Sequence, residues 1–337
     1  MPHLQMKKQH MRVILILILI AACFAGLFCA IGLWESHQRQ QAVLLRQDDT
    51  EARRLRQGWV EKDGIWYAPK SGLETTLVIG VDKMEPLEDS GSYNNDGQAD
   101  FLLLLIFDQD EETTTILHIN RDLMTEIPVL GVTGQEAGTI TGQIALAHTY
   151  GSGLEDSCEN TVKAVSMLLD EVEIDHYVGM SMGAVPLIND LAGGVTVTVL
   201  DDFSGIDDSL TKGETITLQG EQALHYVRIR AGLEDSTNLN RMERQQQYLS
   251  ALAKQIQSLG SDYAPPAAEL EELSRYIISD CTVQELQEMA RSFSRYSFTE
   301  MQDIAGEAKQ GTEYIEYYAD EAALEEQVLE LFYDRQQ

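Results

Sequence analysis

The strongest constraint on the fold comes from three apolar runs that are too continuous for a protein surface. They are TTLVIGVD (75–82), DFLLLLIFD (100–108) and TTTILHIN (113–120). Runs of this length and composition are typical of strands that are buried on both faces of a sheet. The short QDEE linker between the last two predicts an antiparallel hairpin. The sheet should therefore lie inside the molecule and should not be purely parallel.

Segments with apolar residues at a spacing of three to four follow these strands and predict helices. They are GQIALAHTYG (142–151), ENTVKAVSMLLDEV (159–172) and MERQQQYLSALAKQIQSLG (242–260). DHYVGMSM (175–182) and GVTVTVL (194–200) are interpreted as further strands. Buried strands that alternate with helices predict an α/β fold, a three-layer α/β/α domain with a central mixed sheet.

The N-terminal part carries an uncharged apolar run from Val13 to Trp34. As a helix, such a run is long enough to cross the roughly 30 Å of hydrocarbon in a bilayer. The tetrapeptide from Ile20 to Cys23 is similar to a lipoprotein cleavage site, but apolar sequence continues well beyond it. We therefore expect one uncleaved transmembrane helix ahead of the α/β domain. Lys and Arg flank both ends of the run, so their count leaves the orientation open.

Changes in composition divide the chain into five parts. Residues 35–70 begin with charged sequence and continue as GWVEKDGIWYAPKSG, a pattern typical of a juxtamembrane helix followed by a hairpin. The expected organisation is a tail at 1–12, a transmembrane anchor at 13–34, the juxtamembrane segment at 35–70, the main domain at 71–258, and a C-terminal helical and mixed extension at 259–337.

The charge and the cysteines limit the classes of partner. A formal net charge of −31 argues against nucleic acid, because phosphate backbones bind basic surfaces. Of the four cysteines, two lie in the predicted anchor, and Cys158 and Cys281 lie in the part that follows. These two lack C-x-x-C spacing, which argues against a zinc site. Spacing leaves open whether they form a disulfide or remain two free thiols.

Scarce arginines are concentrated in and after ALHYVRIR (223–230). In extended backbone, Arg228 and Arg230 would face the same way and repel each other unless an anion lies between them. The guanidinium fork matches phosphate oxygens bidentately. Arg241 and Arg244 flank the start of the next helix, where backbone amides favour an anion. The pattern favours a phosphate site, with nearby acidic side chains as the alternative partners.

Two aspartates lie at the ends of neighbouring predicted strands. Asp82 closes the first buried strand and Asp100 opens the second, so both carboxylates can reach one edge of the sheet. Paired carboxylates with a hard cation such as Mg²⁺ commonly hold pyrophosphate. The alternative is that each is a turn or capping residue. Arg121 and Asp122 follow the third strand and, taken alone, are a weak signal.

The stretch from Gly179 to Gly183, GMSMG, matches the G-x-S-x-G nucleophile elbow between a strand and a helix. Ser181, followed by Asp202 or Asp207 and then His225, would even suit the chain order of an α/β-hydrolase. No HGGG-like oxyanion loop lies upstream, so a small-residue turn between strand and helix is the competing explanation.

Several of these stretches, taken in order, resemble the LytR-CpsA-Psr family over about residues 75–256. The sequences that carry the resemblance are TLVIGVD, ADFLLLLIFD, LHINRD, AHTYG, HYVGMSM, LINDLAGGVTVTV, LQGEQALHYVRIR and RMERQQQYL. The resemblance implies a membrane-anchored extracytoplasmic phosphotransferase, with the tail in the cytoplasm and the main domain outside the cell membrane. Its substrates would be an anionic glycopolymer on a polyprenyl pyrophosphate carrier (teichoic acid, capsule or similar) and a peptidoglycan acceptor. It also implies a lipid groove between the sheet and the helices. GQIALAHTYG is apolar enough to line such a groove.

The resemblance also assigns roles to residues. It places Mg²⁺, or Mn²⁺, at Asp82 and Asp100. It implies catalytic roles for Arg121, Asp122, Arg228 and Arg230, and substrate binding by Arg241, Arg244, Gln245 and Gln143.

Three positions depart from the family pattern. Gln98, Gln143 and Asn238 stand where the family usually has Arg, Lys and Asp. These losses leave open a second hypothesis, a non-catalytic protein that binds the lipid pyrophosphate or the wall polymer. A hydrolase based on Ser181 is the third.

Overall fold

The computed structural model describes residues 51–229, 238–260, 267–299, 301–311 and 314–336 of the chain. The predicted tail and anchor, and Arg230 as well, lie outside the described residues. Within the described part, none of the helices combines the length and the apolar character needed to cross a membrane. Two compact units are present: one contains the described residues up to Pro69 and those from Asp334 onward, and the other runs from Lys70 to Tyr333.

The smaller unit is built around the predicted hairpin. Residues 51–56 are helical (α1), and strands β1 (Val60–Lys62) and β2 (Ile65–Pro69) pair antiparallel. Strand β16 (Tyr333–Arg335) adds to β2. Asp63 and Gly64 form the turn with φ of 54° and 78°, the left-handed region that a two-residue hairpin turn requires.

The larger unit contains strands β3 to β15 and helices α2 to α8. The strands are β3 (Leu73–Val81), β4 (Ala99–Asp108), β5 (Thr113–Ile119), β6 (Met124–Leu130), β7 (Glu136–Gln143), β8 (His176–Ser181), β9 (Val195–Thr198), β10 (Thr215–Leu218), β11 (Ile277–Ser279), β12 (Ser297–Phe298), β13 (Gln302–Asp303), β14 (Gly306–Gln310) and β15 (Ile315–Ala319). The helices are α2 (Glu155–Leu168), α3 (Ala184–Leu191), α4 (Glu221–Arg228), α5 (Asn238–Leu259), α6 (Ala267–Ser274), α7 (Val283–Arg295) and α8 (Glu321–Phe332). A 3₁₀ helix spans Ile144–Thr149.

The central sheet is mixed, as predicted. Its order is β11-β8-β3-β4-β5-β12, and β13 also pairs with β5. The hairpin of β4 and β5 is antiparallel, β3 and β8 are parallel, and β12 and β13 lie parallel to β5. Residues from 267 onward therefore supply strands at both edges of the same sheet.

The sheet lies between two helical layers because both of its faces are apolar. One face, with Leu77 and Leu102 fully excluded from solvent, packs against residues of α2 and α8. The opposite face presents Phe101 and Met180 toward α3 and α5. Helix α8 begins where the Asp320 carboxylate accepts the backbone N–H groups of residues 322 and 323 at 3.1 and 3.2 Å.

The expectation of a helix over GQIALAHTYG was wrong in its type and extent. Gly142 and Gln143 pair with β6 and end strand β7, and only the following turn is helical, with 3₁₀ geometry. The reason is a set of tertiary hydrogen bonds. Backbone carbonyls of this segment are taken by the side chain of Asn95, so they are satisfied without an α-helical ladder.

Asn95 ties the loop before β4 to the 3₁₀ segment. Its amide Nδ2 donates to the carbonyl oxygens of His148 at 2.8 Å and Gly151 at 2.9 Å, and its Oδ1 accepts the N–H of Gly97 at 2.7 Å. His148 Nδ1 lies 2.8 Å from the Gly97 carbonyl oxygen, and burial lowers the pKa of this imidazole to about 4. The loop that leads into Asp100 is therefore fixed by a buried polar cluster.

We predict that Asn95→Ala lowers the free energy of unfolding by about 2 kcal/mol, because it leaves buried carbonyl and amide groups unpaired. Urea denaturation measures the change. The neighbouring Asn94 is exposed, and Asn94→Ala should stay within about 0.5 kcal/mol of the parent protein. Equal stability of the two variants would contradict the anchoring role of Asn95.

Candidate active site

The two predicted aspartates lie beside each other at one edge of the sheet. Val81 at the end of β3 pairs with Ala99 at the start of β4, after a register shift between Gly80 and Val81. The backbone N–H groups of Asp82 and Asp100 both donate to the carbonyl oxygen of Gln98, at 3.2 and 3.1 Å. The strand ends therefore bring both carboxylates to the position that the sequence predicted.

Asp100 joins two arginines. Its Oδ1 accepts a hydrogen bond from Nη1 of Arg121, and its Oδ2 lies 3.5 Å from Nη1 of Arg241. The exposed fractions of the three side chains are 8%, 15% and 4%, so these charges lie in a largely desolvated environment. A buried guanidinium is tolerated only when it is paired and hydrogen-bonded, and the Asp100 carboxylate meets that need for both arginines.

Arg121 is oriented by two hydrogen-bond acceptors and by an ion pair with a second carboxylate. Besides the bond to Asp100, Nη2 donates to Oε1 of Gln98 at 2.8 Å, and Nε lies 3.3 Å from Oδ1 of Asp122. From the sequence, Gln98 is only a position where the family's usual arginine, and its positive charge, is missing. In the folded chain it is an acceptor for Arg121, a role that its place just before Asp100 did not reveal.

Arg228 reaches the same edge from helix α4. Its Nε lies 3.4 Å from Oδ1 of Asp82, and the two side chains are 47% and 37% exposed. The extended-backbone argument for Arg228 was wrong, because Arg228 is the last residue of α4 and the backbone becomes extended only at Ile229. The position of Arg230 lies outside the described residues.

Arg244 does not fit the substrate contact that was expected for it. Its side chain is 1% exposed, and Nε lies 3.0 Å from the Asp201 carboxylate. Nη1 and Nη2 donate to the carbonyl oxygens of Tyr226 and Ile229, and the guanidinium lies 5.2 Å from the ring centroid of Phe203. Arg244 holds the end of helix α4, and thereby positions Arg228.

Gln143 is also enclosed, and it contacts protein groups where a substrate contact had been expected. Its Nε2 donates to Oδ1 of Asp122 at 3.0 Å and to the carbonyl oxygen of Ile315 at 2.9 Å. The N–H of Tyr317 donates to the carbonyl oxygen of Asp122 at 2.9 Å. Strand β15, far along the chain, therefore fixes the segment that carries Arg121 and Asp122.

An apolar pocket adjoins the charged cluster. It has a volume of about 90 Å³ and lies between the sheet and helices α3 and α5. Phe101 and Val227, the sequence neighbours of Asp100 and Arg228, line it, and Gln245 lines it too while donating to the Val227 carbonyl oxygen at 3.1 Å. GQIALAHTYG, which was expected to line a lipid groove, does not line this pocket.

The G-x-S-x-G stretch does not form a hydrolase triad. Ser181 Oγ is buried and has no hydrogen-bond partner among the described residues, while His225 pairs with Asp207 at 2.8 Å. The glycines have packing reasons. A Cβ at Gly179 would lie 2.6 Å from Sγ of Cys158, and one at Gly183 would overlap the carbonyl oxygen of Met84. Ser181 instead lines the apolar pocket.

The arrangement can bind an anion and a cation together. Three arginines and three carboxylates meet at one sheet edge, and two of the carboxylates, Asp82 and Asp100, come from adjacent strand ends. Hard oxygen donors suit Mg²⁺, which is commonly held by one or two carboxylates and completes its shell with phosphate oxygens and water. The residues present therefore fit a Mg²⁺ or Mn²⁺ ion bound together with a phosphorylated ligand.

The chain is similar to several known proteins. The chain is 31% identical over 186 residues to the polyisoprenyl-teichoic acid–peptidoglycan teichoic acid transferase TagU of Halalkalibacterium halodurans, covering 55% of this chain and 54% of the relative. It is 28% identical over 252 residues to the transferase TagT of Bacillus subtilis, covering 72% and 68%. The match to the first relative thus spans about half of that protein.

A solved structure described as TagT bound to LI-WTA has the same fold, with a TM-score of 0.57 at 23% identity over 77% of this chain and 90% of that one. The model of the LytR_cpsA_psr family matches residues 38–332. With the family model covering most of its length, this chain belongs to the LytR_cpsA_psr family.

Proposed function

We propose that this protein is a membrane-anchored extracytoplasmic phosphotransferase that moves an anionic glycopolymer from polyprenyl pyrophosphate to peptidoglycan. The observation that carries the proposal is the apolar pocket that adjoins the arginine cluster. Phe101 lines the pocket and follows Asp100, which binds Arg121 and Arg241. A polyprenyl pyrophosphate has this same division into an apolar tail and a compact dianionic head.

The names of the relatives support the two substrates, because those proteins are named as transferases of polyisoprenyl-linked teichoic acid to peptidoglycan. Teichoic acid is accordingly the polymer that we favour, with capsule or a related glycopolymer as the alternative. The cell membrane location rests on the apolar run from Val13 to Trp34, which would hold the main domain next to its lipid substrate.

The charges around Asp100 explain how the site could lower the barrier. In the proposed step, the oxygen of an acceptor hydroxyl attacks the sugar-linked phosphorus, and the bond from that phosphorus to polyprenyl phosphate breaks. Negative charge grows on the departing oxygen, and Arg121, Arg228 and Arg241 are placed to stabilise it. These arginines are held in place by carboxylates before the substrate arrives, so little reorganisation is needed.

Asp122 is the carboxylate that we propose to face the acceptor. It is paired with Arg121 and fixed by Gln143, and its side chain is 10% exposed. In this role it would accept a hydrogen bond from the attacking hydroxyl and take up its proton as the new bond from oxygen to phosphorus forms. A Mg²⁺ or Mn²⁺ ion at Asp82 and Asp100 would neutralise part of the pyrophosphate charge.

We predict that Arg121→Ala lowers the rate of polymer transfer about 10²- to 10³-fold, the usual cost of removing one group that stabilises charge in the transition state. The assay uses the purified full-length chain with a polyprenyl pyrophosphate-linked polymer and peptidoglycan fragments. Arg291 is exposed on helix α7, and Arg291→Ala should keep full activity.

The same assay separates transfer from binding alone. If the parent protein binds the lipid pyrophosphate but releases no polyprenyl phosphate and transfers no polymer, the non-catalytic hypothesis replaces the enzyme. Unchanged transfer by a folded Arg121→Ala protein would overturn the role that we assign to this arginine.

We expect activity to require a divalent cation held by the two strand-end aspartates. Chelation should abolish transfer, and adding Mg²⁺ or Mn²⁺ alone should restore it. Asp82→Asn should raise the concentration of Mg²⁺ needed for half-maximal activity about tenfold or more, because one anionic ligand is lost. Asp89 is exposed in the loop that follows, so Asp89→Asn serves as the control. A metal response that is the same in both variants would exclude Asp82 as a ligand.

We predict that Gln143→Leu lowers the turnover number about tenfold and leaves the Michaelis constant for the lipid substrate nearly unchanged. The change removes two hydrogen bonds that position Asp122 and strand β15, each worth about 1 kcal/mol. Gln284 on helix α7 bonds only to Glu288 in the described structure and is exposed, so Gln284→Leu is the matched control. An altered Michaelis constant with normal turnover would instead indicate a direct substrate contact.

A further inference from the structure

A second cluster of metal-binding side chains lies at the opposite end of strand β8. His176 is the first residue of β8, and Asp280 and Cys281 follow the paired strand β11. A ring nitrogen of His176, a carboxylate oxygen of Asp280 and Sγ of Cys281 all lie within 4.8 Å of one another. Five residue steps, about 16 Å of strand, separate His176 from Ser181 in the apolar pocket, so this cluster is distinct from the proposed active site.

The three side chains already contact one another, and Cys281 Sγ donates a weak hydrogen bond to Asp280 Oδ1 at 3.8 Å. Asp280 Oδ1 accepts the N–H of Tyr177 at 2.9 Å, and its Oδ2 lies 3.6 Å from His176 Nδ1. That separation is too long for a hydrogen bond. His176 Nδ1 is shielded from solvent and has no hydrogen-bond partner among the described residues. The imidazole nitrogen thus faces the carboxylate without a hydrogen bond to it, which leaves this nitrogen available as a metal ligand.

The three donors suit one class of metal ion. Imidazole, carboxylate and thiolate together favour Zn²⁺, since thiolate excludes hard ions such as Mg²⁺ and tetrahedral zinc accepts all three ligand types. One carboxylate and one thiolate also balance the two positive charges of the ion. Burial and nearby carboxylates raise the pKa of the Cys281 thiol, so binding must release its proton to solvent.

The cluster needs only a small contraction to become a zinc site. Tetrahedral bonds of 2.0–2.3 Å place neighbouring ligand atoms about 3.5 Å apart, so the side chains must close by about 1 Å. Asp280 is exposed and both His176 and Cys281 are half-buried, which leaves room for that movement. The fourth position would hold water.

We propose that His176, Asp280 and Cys281, with water as the fourth ligand, form a Zn²⁺ site that ties the segment between β11 and α7 to the start of β8. Strand β11 has only three residues, of which Ser279 adds a hydrogen bond from its Oγ to the Tyr177 carbonyl oxygen at 2.7 Å. Helix α7 begins at once, with a capping box between Thr282 and Glu285. A metal bridge here would secure the edge of the central sheet, where few backbone hydrogen bonds do so. Spacing alone could not reveal the site, because its ligands come from segments about a hundred residues apart.

Cobalt provides the direct test, because thiolate ligation gives Co²⁺ an intense ligand-to-metal charge-transfer band. The full-length chain, freed of metal by chelation and dialysis, is titrated with Co²⁺ and then with Zn²⁺. We expect one equivalent of Co²⁺ to produce the thiolate band and Zn²⁺ to displace it. Zn²⁺ should also raise the thermal midpoint of unfolding by several degrees. The Asp82 and Asp100 site contains no sulfur and cannot produce this band.

Variants decide which residues bind the metal. Cys281→Ser should abolish the band, and His176→Gln should weaken Zn²⁺ binding at least tenfold. His225 forms a comparable pair with Asp207 but has no cysteine in that pair, so His225→Gln should bind zinc like the parent protein. Absence of the band in the parent protein, or its persistence in Cys281→Ser, would overturn the proposal. Equal zinc affinity in the two histidine variants would do so as well.

Discussion

The rest of the site depends on the ion pairs that the buried carboxylate of Asp100 forms with two arginines. Two guanidinium groups, those of Arg121 and Arg241, come together in a region that excludes most water. Without a shared counter-charge they would repel each other across a low-dielectric environment. Asp100, the second residue of β4, supplies that charge, and the polar cluster around Asn95 fixes the loop that precedes the strand. Sheet pairing, loop packing and the pairing of two buried arginines therefore depend on one residue.

The strand ends could be predicted from the sequence because strand pairing is a local consequence of apolar runs and a short hairpin linker. That was enough to bring Asp82 and Asp100 together. The partners of Arg244 and Gln143 could not be predicted in this way. Asp201 and strand β15 reach them only after folding. In the sequence, an arginine near a helix start or a glutamine at a strand end gives the same pattern whether its side chain faces substrate or a buried carbonyl oxygen.

Gln98 shows how a departure from a family pattern can be reinterpreted. A lost cation suggests a weakened site when only charge is counted. In the structure, Gln98 offers an acceptor to Arg121 without adding another positive charge beside Arg241 and Arg228. The cluster retains three described arginines balanced by three aspartates, which suits a ligand that brings its own negative charge and a metal ion.

Strand β15 has a consequence for the order in which the molecule matures. The backbone of Asp122 is bonded to Tyr317, and Gln143 is bonded to Ile315. The second of these contacts joins residues 172 positions apart, and the first joins residues still farther apart. During synthesis, a chain that has already formed β3, β4 and β5 must wait for its last segments before the Arg121–Asp122 turn is held. A chain that lacks its last segments would lack both β15, which holds the Arg121–Asp122 turn, and α8, which packs on one face of the sheet, so the site and the core are completed by the same late part of the chain.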